Sequence, residues 1–99
     1  MTKRTIVVTG ANRGLGLAAA LALAAQGHRL VLACRDAAAG TAAAAGIRRS
    51  SGNDDVAVLP LDLGSAASID AFALAFLDRY GALDTLVHNA GTASRKGGR

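Results

Sequence analysis

Thr9-Gly10-Ala11-Asn12-Arg13-Gly14-Leu15-Gly16 follows directly on the apolar run Thr5-Ile6-Val7-Val8. That order reads as a strand, a glycine-rich turn and the opening of a helix, the arrangement by which a backbone presents N–H groups to a phosphate. Gly10 allows a tight exit from the strand, Gly14 lets backbone approach a pyrophosphate, and Gly16 lets the helix lie close to the sheet. Three glycines alone are weak evidence. Their setting sharpens it, because a second strand follows at the interval that a strand, helix and strand unit requires. Other reactive residue types fall in ordinary places. Cys34 reads as a small buried strand residue, and His88 as a packed or capped strand residue with no second ligand spaced to join it. Asp54 and Asp55 read as loop charges, and Tyr80 belongs to the apolar stripe of a helix.

The elements that position the turn alternate regularly, which favours a parallel sheet with crossover helices. The first strand is expected over Thr5 to Thr9, followed by a helix from Gly14 that ends at Gly27. Arg29 to Cys34 reads as the second strand. Asp36 is placed to cap a second helix running through the alanines to about Arg49, with Gly40 and Gly46 each costing it about 1 kcal/mol relative to alanine. Ser51-Gly52-Asn53-Asp54 reads as a loop and Asp55 to Leu61 as the third strand, with Pro60 where that strand ends or lacks a partner. Ser65 is the expected cap of a third helix, in which Ile69, Phe72, Ala73, Phe76, Leu77 and Tyr80 recur at i, i+3, i+4, i+7, i+8 and i+11. Gly81 ends it, and Asp84 to His88 gives a fourth strand. Residues 1–91 form the expected domain; Thr92 to Arg99, without periodicity or a large apolar residue, reads as a disordered basic tail.

Ninety-nine residues make one small domain, and a hydrophobic fraction of 52% makes it globular. Aromatics are only 3%, and alanine supplies much of the apolar count, so the core should be thin. The net charge of +4 does not indicate a nucleic-acid partner, because Arg95, Lys96 and Arg99 in the last five residues carry three of those charges. One cysteine excludes an intramolecular disulfide and suits a reducing cytoplasm. The Ala/Leu run from Leu15 to Ala25 falls short of the roughly 18 apolar residues of a membrane span, so no membrane association is expected.

TGANRGLG is similar to the cofactor motif of the short-chain dehydrogenase/reductase family. His88-Asn89-Ala90-Gly91 resembles that family's NNAG segment after the fourth strand, with His in place of the first Asn. Leu61-Asp62-Leu63 resembles the segment after the third strand that holds the adenine ring, and Tyr80-Gly81 with Leu83-Asp84 fits the run into the fourth strand. The resemblance covers about Arg4 to Gly91. It implies part of a Rossmann-type α/β fold: four parallel strands in spatial order 3-2-1-4, with helices on both faces. It also implies roles. Gly10, Asn12, Gly14, Leu15 and Gly16 would form the phosphate-binding turn. Asp62 would accept from the adenine amino group, with the Leu63 backbone beside it. Asn89, Ala90 and Gly91 would line the adenosine ribose.

In that family a carboxylate at the end of the second strand holds the ribose hydroxyls of NAD and would repel a 2′-phosphate. Here the position is Cys34, followed by Arg35, and Arg13 adds a second cation. A charge-assisted bond to phosphate is worth roughly 1.5 to 3 kcal/mol, so the expected cofactor is NADP rather than NAD. The family's reaction also needs a Tyr, a Lys four positions later and a Ser. Tyr80 is the only tyrosine, Asp84 stands four positions on, and the lysines are Lys3 and Lys96 at the two ends. The expectation is therefore an inactive N-terminal piece of an NADP-dependent oxidoreductase, with a truncation or frame change after Gly91. A non-catalytic NADP-binding module is the alternative. So is a subunit that pairs with a partner through the open edge of the fourth strand at Leu86 and Val87.

Overall fold

The computed structural model describes residues 3–11 and 14–87. Strands β1 (Thr5–Thr9), β2 (Arg29–Cys34), β3 (Val56–Pro60) and β4 (Thr85–Val87) alternate with helices α1 (Gly14–Ala25), α2 (Ala37–Ser51) and α3 (Ala66–Tyr80). The strands form one sheet in the order β3-β2-β1-β4. Every neighbouring pair is parallel, with Val7 opposite both Val31 and Leu86, and Val31 opposite Ala57. This is the expected Rossmann-type half.

Handedness decides which face each helix covers. The steps from β1 to β2 and from β2 to β3 move the same way along the sheet, so right-handed crossovers put α1 and α2 on one face. The step from β3 back past β1 to β4 puts α3 on the other. Alternation along the strands matches this division. Ile6, Val8, Leu30 and Leu32 pack with Ala20 and Ala24 of α1 and with Ala44 and Ile47 of α2. Val7, Val31 and Ala33 pack with Leu61 and with Phe76 of α3. Short alanine side chains let α1 and α2 lie close to the sheet, which is how so little apolar bulk still closes a dry layer on that side.

The second face is less complete. Of the six-residue stripe expected to pack, Phe76 is buried and Phe72 and Tyr80 are half-buried, whereas Ile69 and Leu77 stay 42% and 55% exposed. A single helix spans four strands there, so part of its stripe looks into an open apolar groove instead of onto strand side chains.

Element ends differ from expectation for identifiable reasons. α1 stops at Ala25, two residues before Gly27. α2 runs past Arg49 to Ser51, where Gly52 closes it in a left-handed conformation (φ 73°) and donates its N–H to Arg48 O at 2.9 Å. β3 begins at Val56 because Asp55 is held as a loop residue. Its N–H donates to Asn53 Oδ1 at 2.9 Å, and its carboxylate meets Lys3 Nζ at 2.6 Å and Arg29 Nε at 3.3 Å. Pro60 ends β3, as expected of a residue without an N–H. β4 begins at Thr85, since Asp84 Oδ2 accepts the Thr5 N–H at 2.8 Å and the Asp84 N–H donates to Thr5 O at 3.0 Å. His88, expected to close that strand, and the tail from Thr92 lie outside the described residues.

Two residues organise the amino edge of the sheet without any signal in the hydrophobic pattern. His28 is buried, and its Nδ1 accepts the Arg4 N–H at 3.1 Å. Asn53 Nδ2 donates to Ala24 O at 3.0 Å and to His28 O at 2.8 Å, tying the end of α1 to the approach to β2 and, through Asp55, to β3. Asn53→Ala removes all three bonds and strands two carbonyls, so it should lower stability by about 2 kcal/mol in chemical denaturation. An unchanged midpoint would contradict this role. Asp55 titrates below its ordinary value of 3.8, chiefly because Lys3 donates to it. The stability it contributes is therefore complete above that value and lost as pH falls through the lowered one. Asp55→Asn should make the acid limb of the stability profile shallower, though only slightly for a pair this exposed to water.

Candidate functional site

Because all four strands run the same way, their carboxyl ends meet at one edge. β1 and β4 are neighbours at which the strand order reverses, with the helix after β1 on one face and the helix before β4 on the other, and such a reversal opens a crevice at the strand ends. Residues 10–11 and 14–16, 35–36 and 61–63 follow β1, β2 and β3 onto this edge.

The chain leaves β1 through Gly10, at φ 62°, whose N–H donates to Ala33 O at 3.3 Å and so carries the β1–β2 pairing one residue further. Gly14, also at φ 62°, opens α1. A Cβ there would meet no atom within 4 Å, so the requirement for glycine is conformational, not steric. Gly16 is buried and Leu15 is 80% exposed. The first amides of α1 have no acceptor within the helix, and no acidic side chain stands in its first turn to satisfy or repel them. The positive end of the helix dipole thus faces the crevice, where it favours an anion. Asn12 and Arg13 lie outside the described residues.

After β2 the nearest carboxylate is tied to the start of α2 through one of its oxygens. Asp36 caps α2, its Oδ1 accepting from the Ala38 and Ala39 N–H groups at 3.0 and 3.1 Å. Cys34 is a free cysteine and is buried, as expected. Burial pushes its thiol up from the usual 9.0, partly offset by a hydrogen bond with the Ala11 backbone, while the Asp36 charge adds to the rise. It is a neutral wall of the site, not a nucleophile. Arg35 is exposed and is the one cation at this edge among the described residues.

After β3, Leu61 is buried and donates its N–H to Cys34 O at 3.0 Å. The Asp62 N–H donates to Ser68 Oγ at 2.8 Å, and its Oδ1 accepts the Gly64 N–H at 2.9 Å. Oδ2 takes no hydrogen bond among the described residues. Leu63 is exposed beside it. Asn89, Ala90 and Gly91 lie outside the described residues. The groups present fit a dinucleotide by donor and acceptor type: unpaired amides after β1 and a free guanidinium after β2 suit phosphate, and an open carboxylate oxygen after β3 suits an amino donor. Tyr80 is at the other edge, its ring 5.0 Å from that of Phe76 and 5.6 Å from the Arg29 guanidinium, too remote to exchange protons in the crevice.

Beside the crevice, on the α3 face, an apolar groove of about 330 Å³ is lined by Val7, Leu61, Phe72, Phe76, Leu77 and Leu86, among others. No helix among the described residues is long and apolar enough to cross a membrane.

A sequence model of the family described as short chain dehydrogenase matches residues 4–98. Dehydrogenase/reductase SDR family member 13 of Homo sapiens is 55% identical over 91 residues, covering 92% of this chain and 24% of that protein. The chain therefore spans about a quarter of the length of the curated relatives it matches. Among solved structures, menthone neomenthol reductase from Mentha piperita superposes with a TM-score of 0.85 at 38% identity, covering 92% of this chain and 32% of that one. An alcohol dehydrogenase from the archaeon Thermococcus sibiricus, complexed with 5-hydroxy-NADP, superposes at 0.77 with 33% identity, covering 86% and 36%.

Burial of Cys34 gives a direct check on this edge. A soluble disulfide reagent at pH 8 should label the native chain at least about tenfold more slowly than the chain in denaturant. Equal rates would mean that the thiol faces solvent and that the wall drawn here is wrong.

Proposed function

The chain belongs to the short chain dehydrogenase family, and from that membership we propose that it is the nucleotide-binding part of an NADP-dependent oxidoreductase that moves a hydride between NADP(H) and a carbonyl or alcohol. When bound, the nicotinamide of that cofactor supplies or accepts the hydride. The chain's own residues bind and orient it. Gly10, Asn12, Gly14, Leu15 and Gly16 cradle the pyrophosphate by backbone. Asp62 Oδ2 accepts from the adenine amino group beside Leu63. Asn89, Ala90 and Gly91 line the adenosine ribose. Arg35, with Arg13, meets the 2′-phosphate.

The observation that carries the choice of NADP is the state of the carboxylate after β2. Asp36 Oδ1 is tied to two backbone N–H groups at the start of α2, and the last side chain of β2 is a buried neutral thiol, so the strand end itself carries no carboxylate for the ribose hydroxyls of NAD. The 5-hydroxy-NADP in a solved neighbour supports the same reading. Catalysis is assigned to sequence outside these residues, because Tyr80 sits at the opposite edge and Asp84 stands where a lysine would be needed. These 99 residues alone should bind NADP and reduce nothing.

The apolar groove and the outer edge of β4, where Leu86 is 54% exposed, favour a second reading. In it this chain is a subunit completed by a partner that supplies the catalytic groups. Titration of the full chain with NADP and NAD tests the main proposal. NADP should bind about tenfold tighter, and Arg35→Ala should remove most of that advantage while leaving NAD within about twofold. Equal affinity of the parent chain for the two dinucleotides would refute the cofactor assignment.

A further inference from the structure

Gly40 and Gly46 look alike in the sequence, each a helix-weakening residue in α2, yet the structure separates them. A Cβ on Gly46 would meet nothing within 4 Å. A Cβ on Gly40 would lie 2.9 Å from Val58 Cγ1 and 3.2 Å from both Cβ and Sγ of Cys34. The 2.9 Å contact is shorter than real Cβ atoms make and the two at 3.2 Å are tighter than most, so with any side chain at residue 40 either the first turn of α2 or the Val58 and Cys34 side chains beneath it must shift.

That seat lies one step from the crevice. Two residues, Arg35 and Asp36, join Cys34 to the first residue of α2. Asp36 caps the helix through Ala38 and Ala39, and the Gly40 N–H donates back to Asp36 O at 3.0 Å. Link, cap and first turn are therefore one hydrogen-bonded unit, hung from the end of β2 and resting on Cys34 and Val58. Wherever that unit rests, Arg35 goes with it. An added methyl forces a shift of a few tenths of an ångström, and Cys34 and Val58 are themselves held in paired strands, so the turn takes up part of it, on the scale that degrades a charge-assisted contact.

We propose that Gly40 is a positioning residue for the 2′-phosphate end of the site: by letting α2 settle onto Cys34 and Val58, it fixes where Arg35 leaves the sheet. The inference rests on the NADP reading above and goes beyond it, since Gly40 touches no cofactor. It acts through Arg35 alone, so it should affect only a ligand that carries the 2′-phosphate.

The test uses the full chain and four variants, Gly40→Ala, Val58→Ala, the double variant and Gly46→Ala, each titrated with NADP and NAD alongside thermal unfolding. Gly40→Ala should weaken NADP about fivefold and leave NAD within about twofold. Val58→Ala in the same chain should recover most of the loss, because it removes the shortest contact. Gly46→Ala should raise the unfolding midpoint and leave both affinities unchanged. If Gly40→Ala does not fold, the double variant carries the comparison with Val58→Ala. Gly40→Ala that is folded and keeps the parent's preference for NADP overturns the proposal, as does equal weakening of both dinucleotides. A parent chain with no preference overturns the NADP reading, and this inference with it.

Discussion

A strand paired on both sides by parallel neighbours has nowhere to send its chain except off the end of the sheet, and β1 is such a strand. Val7 lies between Val31 and Leu86, fixed laterally by both, so the residues after Thr9 must rise at the carboxyl edge and turn at once into α1. Gly10 and Gly14, both at φ 62°, stand where the chain leaves β1 and where it enters α1, and the first amides of that helix have no acceptor within it. The anion site, the direction of α1 and the position of the crevice are consequences of one pairing constraint. Had β1 been an edge strand, the amides of α1 would face open solvent.

The two faces of the sheet solve the packing problem differently. Against α1 and α2, buried alanines and Ile47, flanked by the half-buried leucines of α1, close a thin layer by close approach. The clearance is so small there that a single methyl at Gly40 has no room. Against α3 the aromatic stripe of Phe72, Phe76 and Tyr80 covers the β2 and β3 side and leaves a groove toward β4. The tight face carries Cys34, Val58 and the first turn of α2, next to Arg35.

What could be read from residue order was whatever short-range chemistry dictates. Asp36 and Ser65 announced their helices because a capping oxygen must precede free N–H groups, and both act as caps. Strand order followed from alternation and handedness. The bonds of His28 and Asn53 could not be read, because they join residues 24 to 29 positions apart and depend on where α1 ends relative to β2. The role of Gly40 was hidden for a similar reason: propensity counts its cost within α2 but not the proximity of Val58 on another strand. The α3 stripe was over-read, since periodicity shows that a face is apolar and not that something covers it. At the strand ends, Asp36 was legible as a cap, but that a single oxygen, Oδ1, takes both the Ala38 and the Ala39 N–H shows only in three dimensions.

Backbone amide resonances offer the most direct view of the phosphate cradle. In a ¹⁵N-labelled sample titrated with NADP, the largest shift changes should fall on Gly10 and on Gly14 to Gly16, with a second group at Arg35 and Asp62 and little at the amino edge around His28 and Asn53. Saturable changes confined to that amino edge, or none at millimolar dinucleotide, would contradict an anion site at the opening of α1.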